Sequence, residues 1–301
     1  MLAIVIPFFK IDFFDATLKS LADQNNKQFK VYIGDDNSPE NAIVLIKKFE
    51  SQFEFVYQRF DYNLGGTSLV SQWERCIELV QDESWIMILG DDDVLEDNVV
   101  EEFYKHCDLF ENEINVVRFA TVKIDAQNHA TSLKYEHPTE ERSTDFIFRT
   151  SRSSLSEYVF RKECLLEVGF VDLPLAWFSD ILAILEVSEF NTIYTINEAV
   201  VRIRVSEYSI SGSQKNKQLK TKANFDFYAY LLKKHSECFT EIQLVHLENS
   251  WQKIFFNNKN DIGFFLEISS YYLKKMRFKN YILFLFNSLR SKVNFSFLIS
   301  R

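Results

Sequence analysis

Two acidic runs carry the clearest chemistry in this chain. Asp91-Asp92-Asp93 follows an apolar stretch over residues 85–89. Adjacent carboxylates supply hard oxygen ligands for Mg²⁺ or Mn²⁺, which take one or two of them together with substrate phosphates. The same residues also suit a helix N-terminus, where Asp caps the helix and complements its dipole, and Glu96 and Asp97 nearby fit that reading. Asp35-Asp36-Asn37-Ser38 closes another apolar stretch, residues 30–34. Taken alone it reads as an Asx turn with a helix cap, with Pro39 at a first-turn position. The repetition raises the chemical reading, because both runs stand at the ends of apolar stretches in one half of the chain.

The elements that must position these runs follow from hydrophobic periodicity. Residues 2–8 read as a buried strand, a helix capped by Asp12 runs to about residue 24, and 30–34 is a second strand. A helix over 43–49, a strand over 53–58, a helix over 69–80 and a strand over 85–89 continue the alternation. Strands alternating with helices imply βαβ units and a mainly parallel sheet. Such sheets place ligands beyond the carboxyl ends of their strands, where both acidic runs fall. Further on, 115–123 is predicted as a strand, 125–144 as hairpins or loops, and 157–169 as a strand and short helix. A helix over 181–189 and a strand with a turn over 192–204 follow, and from about Lys215 helix succeeds helix.

With 301 residues, 47% of them apolar, and only 7 Gly and 4 Pro, the chain suits a large α/β domain with a helical appendage, or two small domains. Much of its 30 Phe and 13 Tyr must be core, although such an aromatic excess also suits sugar stacking or membrane contact. Cys76, Cys107, Cys164 and Cys238 read as scattered, with no C-x-x-C and no His cluster nearby. That pattern argues against a disulfide framework or structural zinc and for a reducing cytoplasm. The formal charge of −9 disfavours a general nucleic-acid binder. Residues 1–7 are too short for a signal h-region, and no apolar run approaches the roughly 20 residues of a membrane span. A soluble or peripheral protein is therefore expected. P-loop, G-x-G-x-x-G, G-x-S-x-G and H-E-x-x-H patterns are lacking, which leaves kinases, dehydrogenases, serine hydrolases and zincins without support.

Taken in order, the motifs resemble those of the inverting, nucleotide-sugar-dependent glycosyltransferases of family 2, which have the GT-A fold. The matching stretches are Ile4-Val5-Ile6-Pro7-Phe8-Phe9, Val31-Tyr32-Ile33-Gly34-Asp35-Asp36-Asn37-Ser38, Asn63-Leu64-Gly65-Gly66 and Ile88-Leu89-Gly90-Asp91-Asp92-Asp93-Val94-Leu95. Tyr158-Val159-Phe160-Arg161-Lys162, Glu167-Val168-Gly169-Phe170, Phe178-Ser179-Asp180, and Arg204-Val205-Ser206 with Ser209-Ile210-Ser211 continue the series, so the resemblance covers about residues 1–212. It implies a GT-A domain over 1–212, an α/β Rossmann-like mixed sheet flanked by helices, and a helical C-terminal region over 213–301. It also implies transfer of a sugar from an NDP-sugar donor, UDP favoured, to a hydroxyl of a glycan or lipid-linked oligosaccharide, with inversion, during capsule, lipopolysaccharide or exopolysaccharide assembly.

The implied roles are assigned residue by residue. Pro7 and Phe9 would border the nucleobase, and Asp36 would accept a hydrogen bond from it. Asn63, Gly65 and Arg204 fall at further donor-binding positions. Asp91 would bind the ribose or diphosphate, and Asp92, with Asp93, would hold Mn²⁺ or Mg²⁺ against the departing diphosphate. Asp180 would be the general base, with Asp172 the alternative. An Asp preceding the apolar residues 181–185 is also a plausible N-cap.

The chain departs from the family pattern at four places. Gly90 replaces the first Asp of a D-x-D-D run, Ser206 replaces a frequent His, Lys10 a frequent Asn, and Ser71-Gln72-Trp73 the usual Ala-Arg-Asn. Arg202 or Arg204 would supply compensating positive charge. Gly90 and Ser206 also support a rival reading, a nucleotide-sugar-binding scaffold subunit that has lost activity. A sugar nucleotidyltransferase would be expected to open with a Gly-rich basic loop where Phe8-Phe9-Lys10-Ile11-Asp12 stands. Residues 268–301 hold seven basic side chains and no Asp or Glu. This basic, aromatic tail either meets the anionic inner membrane surface on its cytoplasmic face or packs on the catalytic domain and offsets its acidity.

Overall fold

The structure, a computed structural model, describes residues 1–110, 113–149, 153–205 and 216–296, with side chains up to Leu289. Strand β1 (Leu2–Phe8) carries no charged residue, and all of it but Pro7 is buried. A strand covered on both faces belongs in the middle of a sheet. Accordingly β1 pairs in parallel with β2 (Phe29–Asp35) on one side and β4 (Trp85–Ile88) on the other. Strand β3 (Glu54–Arg59) adds to β2, also in parallel.

The remaining strands are β5 (Val94–Leu95), β6 (Val116–Ile124), β7 (Glu140–Arg142), β8 (Tyr158–Arg161) and β9 (Thr192–Arg204). The described residues thus form one nine-stranded sheet in the order β3-β2-β1-β4-β8-β6-β9-β5, with β7 also on β9. β8 enters antiparallel between β4 and β6, so the sheet is mixed. Its flanking helices are α1 (Phe14–Ala22), α2 (Ile43–Ile46), α3 (Leu69–Ile77), α4 (Val99–Phe110), α5 (Ser143–Phe146), α6 (Lys162–Val168) and α7 (Ser179–Val187). α1 buries Phe14, Leu18 and Leu21 at helical spacing, and Phe14 meets Phe8 of β1 at 4.5 Å between ring centroids. β9 pairs with β6 across a register shift at Phe119/Ala120 and reaches β5 through Val94↔Arg202. That pairing carries the end of β9 to the loop between β4 and β5.

Most predicted strands and helices lie within two residues of their observed bounds, and three capping expectations are corrected. α1 starts after Phe13, which makes no side-chain cap, and not at Asp12. Residues 91–93 cap nothing, because α4 begins only at Val99; the β4–β5 pairing with the rest of the sheet takes them instead. Pro39 likewise precedes α2 by more than a turn.

The chain divides into two compact units, Met1–Lys217 and Gln218–Arg301. Helices α8 (Lys217–Lys234), α9 (Glu241–Asn257), α10 (Ile262–Lys274) and α11 (Phe278–Ser296) build the second. Thr240 and Gln243 form a capping box that starts α9, and Asp261 caps α10. Phe225 stacks on Phe264 at 3.8 Å beside the fully buried Trp251. Glu248, 2% exposed, accepts hydrogen bonds from Tyr271, Tyr272, Asn280 and Arg277, which fastens the α10–α11 turn to α9.

Candidate functional site

The loop joining β4 to β5 is held from several sides, and the holding uses two of its three carboxylates. Asp91 Oδ2 accepts the backbone N–H groups of Phe9 and Lys10, both at 2.8 Å. Asp93 accepts the Arg204 N–H at 2.8 Å and the Ser156 hydroxyl at 2.5 Å. Ser156 in turn accepts the Gly90 N–H at 3.0 Å. The Thr17 hydroxyl lies 3.1 Å from the Asp91 carbonyl and 2.8 Å from that of Asp93. Arg204, 2% exposed, donates Nε to the Asp92 carbonyl at 2.8 Å and its other nitrogens to the Asp125 carbonyl and Asn128. Its guanidinium also lies over the Phe13 ring at 4.3 Å. Arg204 therefore braces the loop through backbone oxygens.

Asp92 differs from its neighbours. Beyond its own backbone N–H, its carboxylate accepts no hydrogen bond among the described residues. Burial raises its pKa, opposed by the charges of Arg204 and Lys10. Burial pushes Asp91 up to about 6 against the pull of the Lys10 and Phe9 amides. Burial, then the negative charge of Asp92, pushes Asp93 up to about 7. Three desolvated carboxyls with one open oxygen set suit a hard divalent cation, which would relieve their repulsion.

The cluster at the end of β2 is arranged differently. Asp35 Oδ1 accepts the Ser38 N–H at 2.8 Å, the Asx turn anticipated from sequence, and Oδ2 accepts Tyr57 at 2.5 Å and Arg59 at 3.1 Å. Asp36 accepts the N–H groups of Leu64 at 2.6 Å and Gly65 at 2.9 Å and pairs with Arg75. The loop it holds is tight: a Cβ on Gly65 would lie 2.7 Å from Asp36 Oδ2, and Asn63 Oδ1 accepts the Gly66 N–H at 2.5 Å. Arg75 went unnoticed in the sequence. Its guanidinium lies 3.9 Å over Phe60 and 5.2 Å from the Tyr62 ring centroid. Only its place three residues after Gln72, with which it bonds at 2.5 Å, hinted at a role. Phe9 joins the two clusters, since its N–H reaches Asp91 and its carbonyl accepts the Ser38 hydroxyl at 2.7 Å. Pro7 faces Gly34 across β1–β2. Pro7, Phe9, Asp36, Asn63, Gly65 and residues 91–93 thus gather at the carboxyl ends of β1, β2 and β4.

Asp180 sits in the first turn of α7, and the N-cap position belongs to Phe178 instead. Burial pushes Asp180 up to about 6 against the Ile181 amide. The approach to it is strained: Leu175, Ala176 and Phe178 have φ of 63°, 52° and 72°, at a cost of order 1–3 kcal/mol each for non-glycine residues, a kind of strain that clusters at active sites. One short 3₁₀ turn, Leu155–Glu157, serves both carboxylate groups: Ser156 holds Asp93, and Glu157, pushed up to about 8 chiefly by burial, also feels the charge of Asp180. Asp172 is exposed and accepts the Ser68 hydroxyl at 2.8 Å, at the start of α3. Arg202 pairs with Glu96 at 3.2 Å. Ser206 and the Ser209-Ile210-Ser211 motif lie outside the described residues. In the helical unit, His235, Glu237 and Cys238 bring ligand atoms within 4.8 Å of one another, a grouping that holds a single histidine.

The sequence matches the model of Glycosyl transferase family 2 over residues 3–161, more than half of the chain. No curated protein matches it. Among solved structures, S. aureus TarS 1–349 in complex with UDP-GlcNAc is similar, with a TM-score of 0.63 at 13% identity over 90% of this chain and 79% of that one. Its complex with UDP gives a TM-score of 0.58 at 13% identity over 84% and 70%. At such identities the likeness concerns the fold, a GT-A sheet with helices following it.

Proposed function

The chain belongs to glycosyl transferase family 2 and is a glycosyltransferase, and we propose that it moves a sugar from a UDP-sugar to a hydroxyl of a glycan, free or lipid-linked, with inversion at the anomeric carbon. The observation that carries this reading is the division of labour in residues 91–93, where Asp91 and Asp93 fix the loop and the Asp92 carboxylate has, among the described residues, no donor beyond its own backbone N–H. Asp92 would hold Mn²⁺ or Mg²⁺, which when bound neutralises charge on the leaving diphosphate. The UDP preference draws support from the likeness to TarS bound to UDP-GlcNAc.

Pro7 and Phe9 border the nucleobase in this reading. Asp36 serves it indirectly, by fixing the loop at Leu64 and Gly65. Arg75 presents a cationic plane beside Phe60 and Tyr62 at the same end. Asp180, with a pKa of about 6, is ionised at neutral pH yet still basic enough to accept a proton. It takes the proton of the acceptor hydroxyl as that oxygen bonds to the anomeric carbon and the bond to the diphosphate breaks. Direct displacement needs no protein nucleophile and inverts the configuration. Four free cysteines suit a reducing cytoplasm as the site of the reaction.

Calorimetric titration with UDP and GDP, with and without Mn²⁺, tests the reading on the wild type and Asp92→Ala. The expected result is binding of UDP that needs both the metal and Asp92, with slow donor hydrolysis. Metal-independent binding without turnover would replace it with the scaffold role that Gly90 suggests.

A further inference from the structure

The α10–α11 hairpin exposes an apolar stripe that the core of its own unit does not use. Phe278, Ile282, Phe286 and Leu289 recur at helical spacing along α11 and are between 52% and 67% exposed. Phe284 and Ser288, on the opposite side of the same helix, are buried. The turn before the helix continues the stripe through Leu273 and Met276, both exposed. Cations are interleaved with these side chains, since Lys274, Lys275 and Lys279 are exposed as well. The turn itself is fastened: Arg277 reaches back to Glu248, and Asn280 Nδ2 donates to the same carboxylate at 3.0 Å. Apolar tips and lysines are therefore presented together on a rigid support.

No helix of the described residues is long and apolar enough to cross a membrane, so insertion as a span is not the use of this face. A second copy would bring the same lysines against one another, and residues 268–301 contain no Asp or Glu to answer them. An anionic lipid surface answers both features: acyl chains take the apolar stripe and headgroups take the lysines. We propose that the α10–α11 turn and the outward stripe of α11 dock on a bilayer containing anionic lipids, independently of any catalytic assignment.

Flotation of the full chain with phosphatidylcholine vesicles, with and without phosphatidylglycerol, at low and high salt, tests this. The expected result is binding that requires phosphatidylglycerol, weakens with salt, and falls at least ~10-fold in the Phe278→Asp/Phe286→Asp variant. Lys274→Glu/Lys275→Glu should lose the salt-sensitive part. Unchanged circular dichroism and nucleotide binding would show that both variants remain folded. Wild type that stays with the soluble fraction at low salt, or an aspartate variant that floats as wild type does, overturns the proposal. So does a dimer that the aspartate variant dissociates without any lipid binding, which would assign the stripe to a second copy.

Discussion

At the end of β2, Asp35 and Asp36 spend every carboxylate oxygen on the chain itself, two arginines included. At the end of β4, two carboxylates are spent in the same way, but they accept only N–H and hydroxyl groups, and among the described residues the third has no donor beyond its own backbone N–H. Both clusters flank β1, and both are short runs of Asp after an apolar strand. The difference lies in their counter-charges. Arg59 and Arg75 neutralise the first cluster, whereas the guanidinium of Arg204 beside the second is turned to carbonyl oxygens and Asn128. Lys10 and Arg204 offset the second cluster by charge, yet burial still raises all three carboxyls, so the proposed divalent cation would relieve it further. Acidic density alone therefore does not distinguish the two clusters; in the proposed reading, the carboxylate with no donor beyond its own backbone N–H among the described residues does.

The comparison is broken most directly by exchanging the roles of the two clusters. Asp92→Ala should lower transfer by about 10³-fold or more, near 4 kcal/mol of transition-state stabilisation, while the melting temperature barely moves; rate assays and a thermal melt check both. Asp180→Asn should lower kcat by about 10²- to 10⁴-fold with donor affinity retained, the range for a lost general base. Asp36→Ala should do the converse of Asp92→Ala. It strips a buried partner from Arg75 and two amides, so urea unfolding should show a loss of about 3 kcal/mol.

A smaller and graded effect comes from pH. With Asp180 near 6, kcat should fall about tenfold per unit of pH below that value. Its stability contribution has the opposite sign. A carboxyl whose folded pKa exceeds the ordinary 3.8 binds its proton more tightly when folded. That stabilisation is full below about 3.8 and is lost as pH rises through about 6. The melting temperature of wild type minus that of Asp180→Asn should therefore decline between those limits. The smallest effect is expected at Glu157, which sits between the two carboxylate groups with its carboxyl pushed up to about 8. It is then mostly neutral at pH 7, and Glu157→Gln should keep activity within about threefold. A large loss there would mean that Glu157 works as an anion.

Much of this was legible in the sequence because it is local. The uncharged run of β1 calls for a central strand, and the spacing of Phe14, Leu18 and Leu21 calls for a helix lying on it. The Asx turn at Asp35 needs only Ser38, three residues on. Asp12 does not cap α1, and the capping alternatives at Asp91 and Asp180 do not hold either: Asp next to an apolar run suits both a cap and a loop, and the choice depends on what lies across the space. Arg75 shows the same limit, since a lone Arg on an amphipathic helix does not reveal that it will face Asp36, 39 residues earlier.

The sequence by itself determined the elements, the alternation that makes the sheet, and the placing of acidic runs at strand ends. Which carboxylate would hold the chain and which would be free was decided only in the fold. Asp93 is engaged by Ser156 and Arg204, 63 and 111 residues later, and the strain at Leu175, Ala176 and Phe178 persists only because packed neighbours impose it. A hydrogen bond requires its partners within about 3 Å; the pairing of β8 with β4 and β6 brings Ser156 to that range, and the closing of β9 onto β5 and β6 brings Arg204.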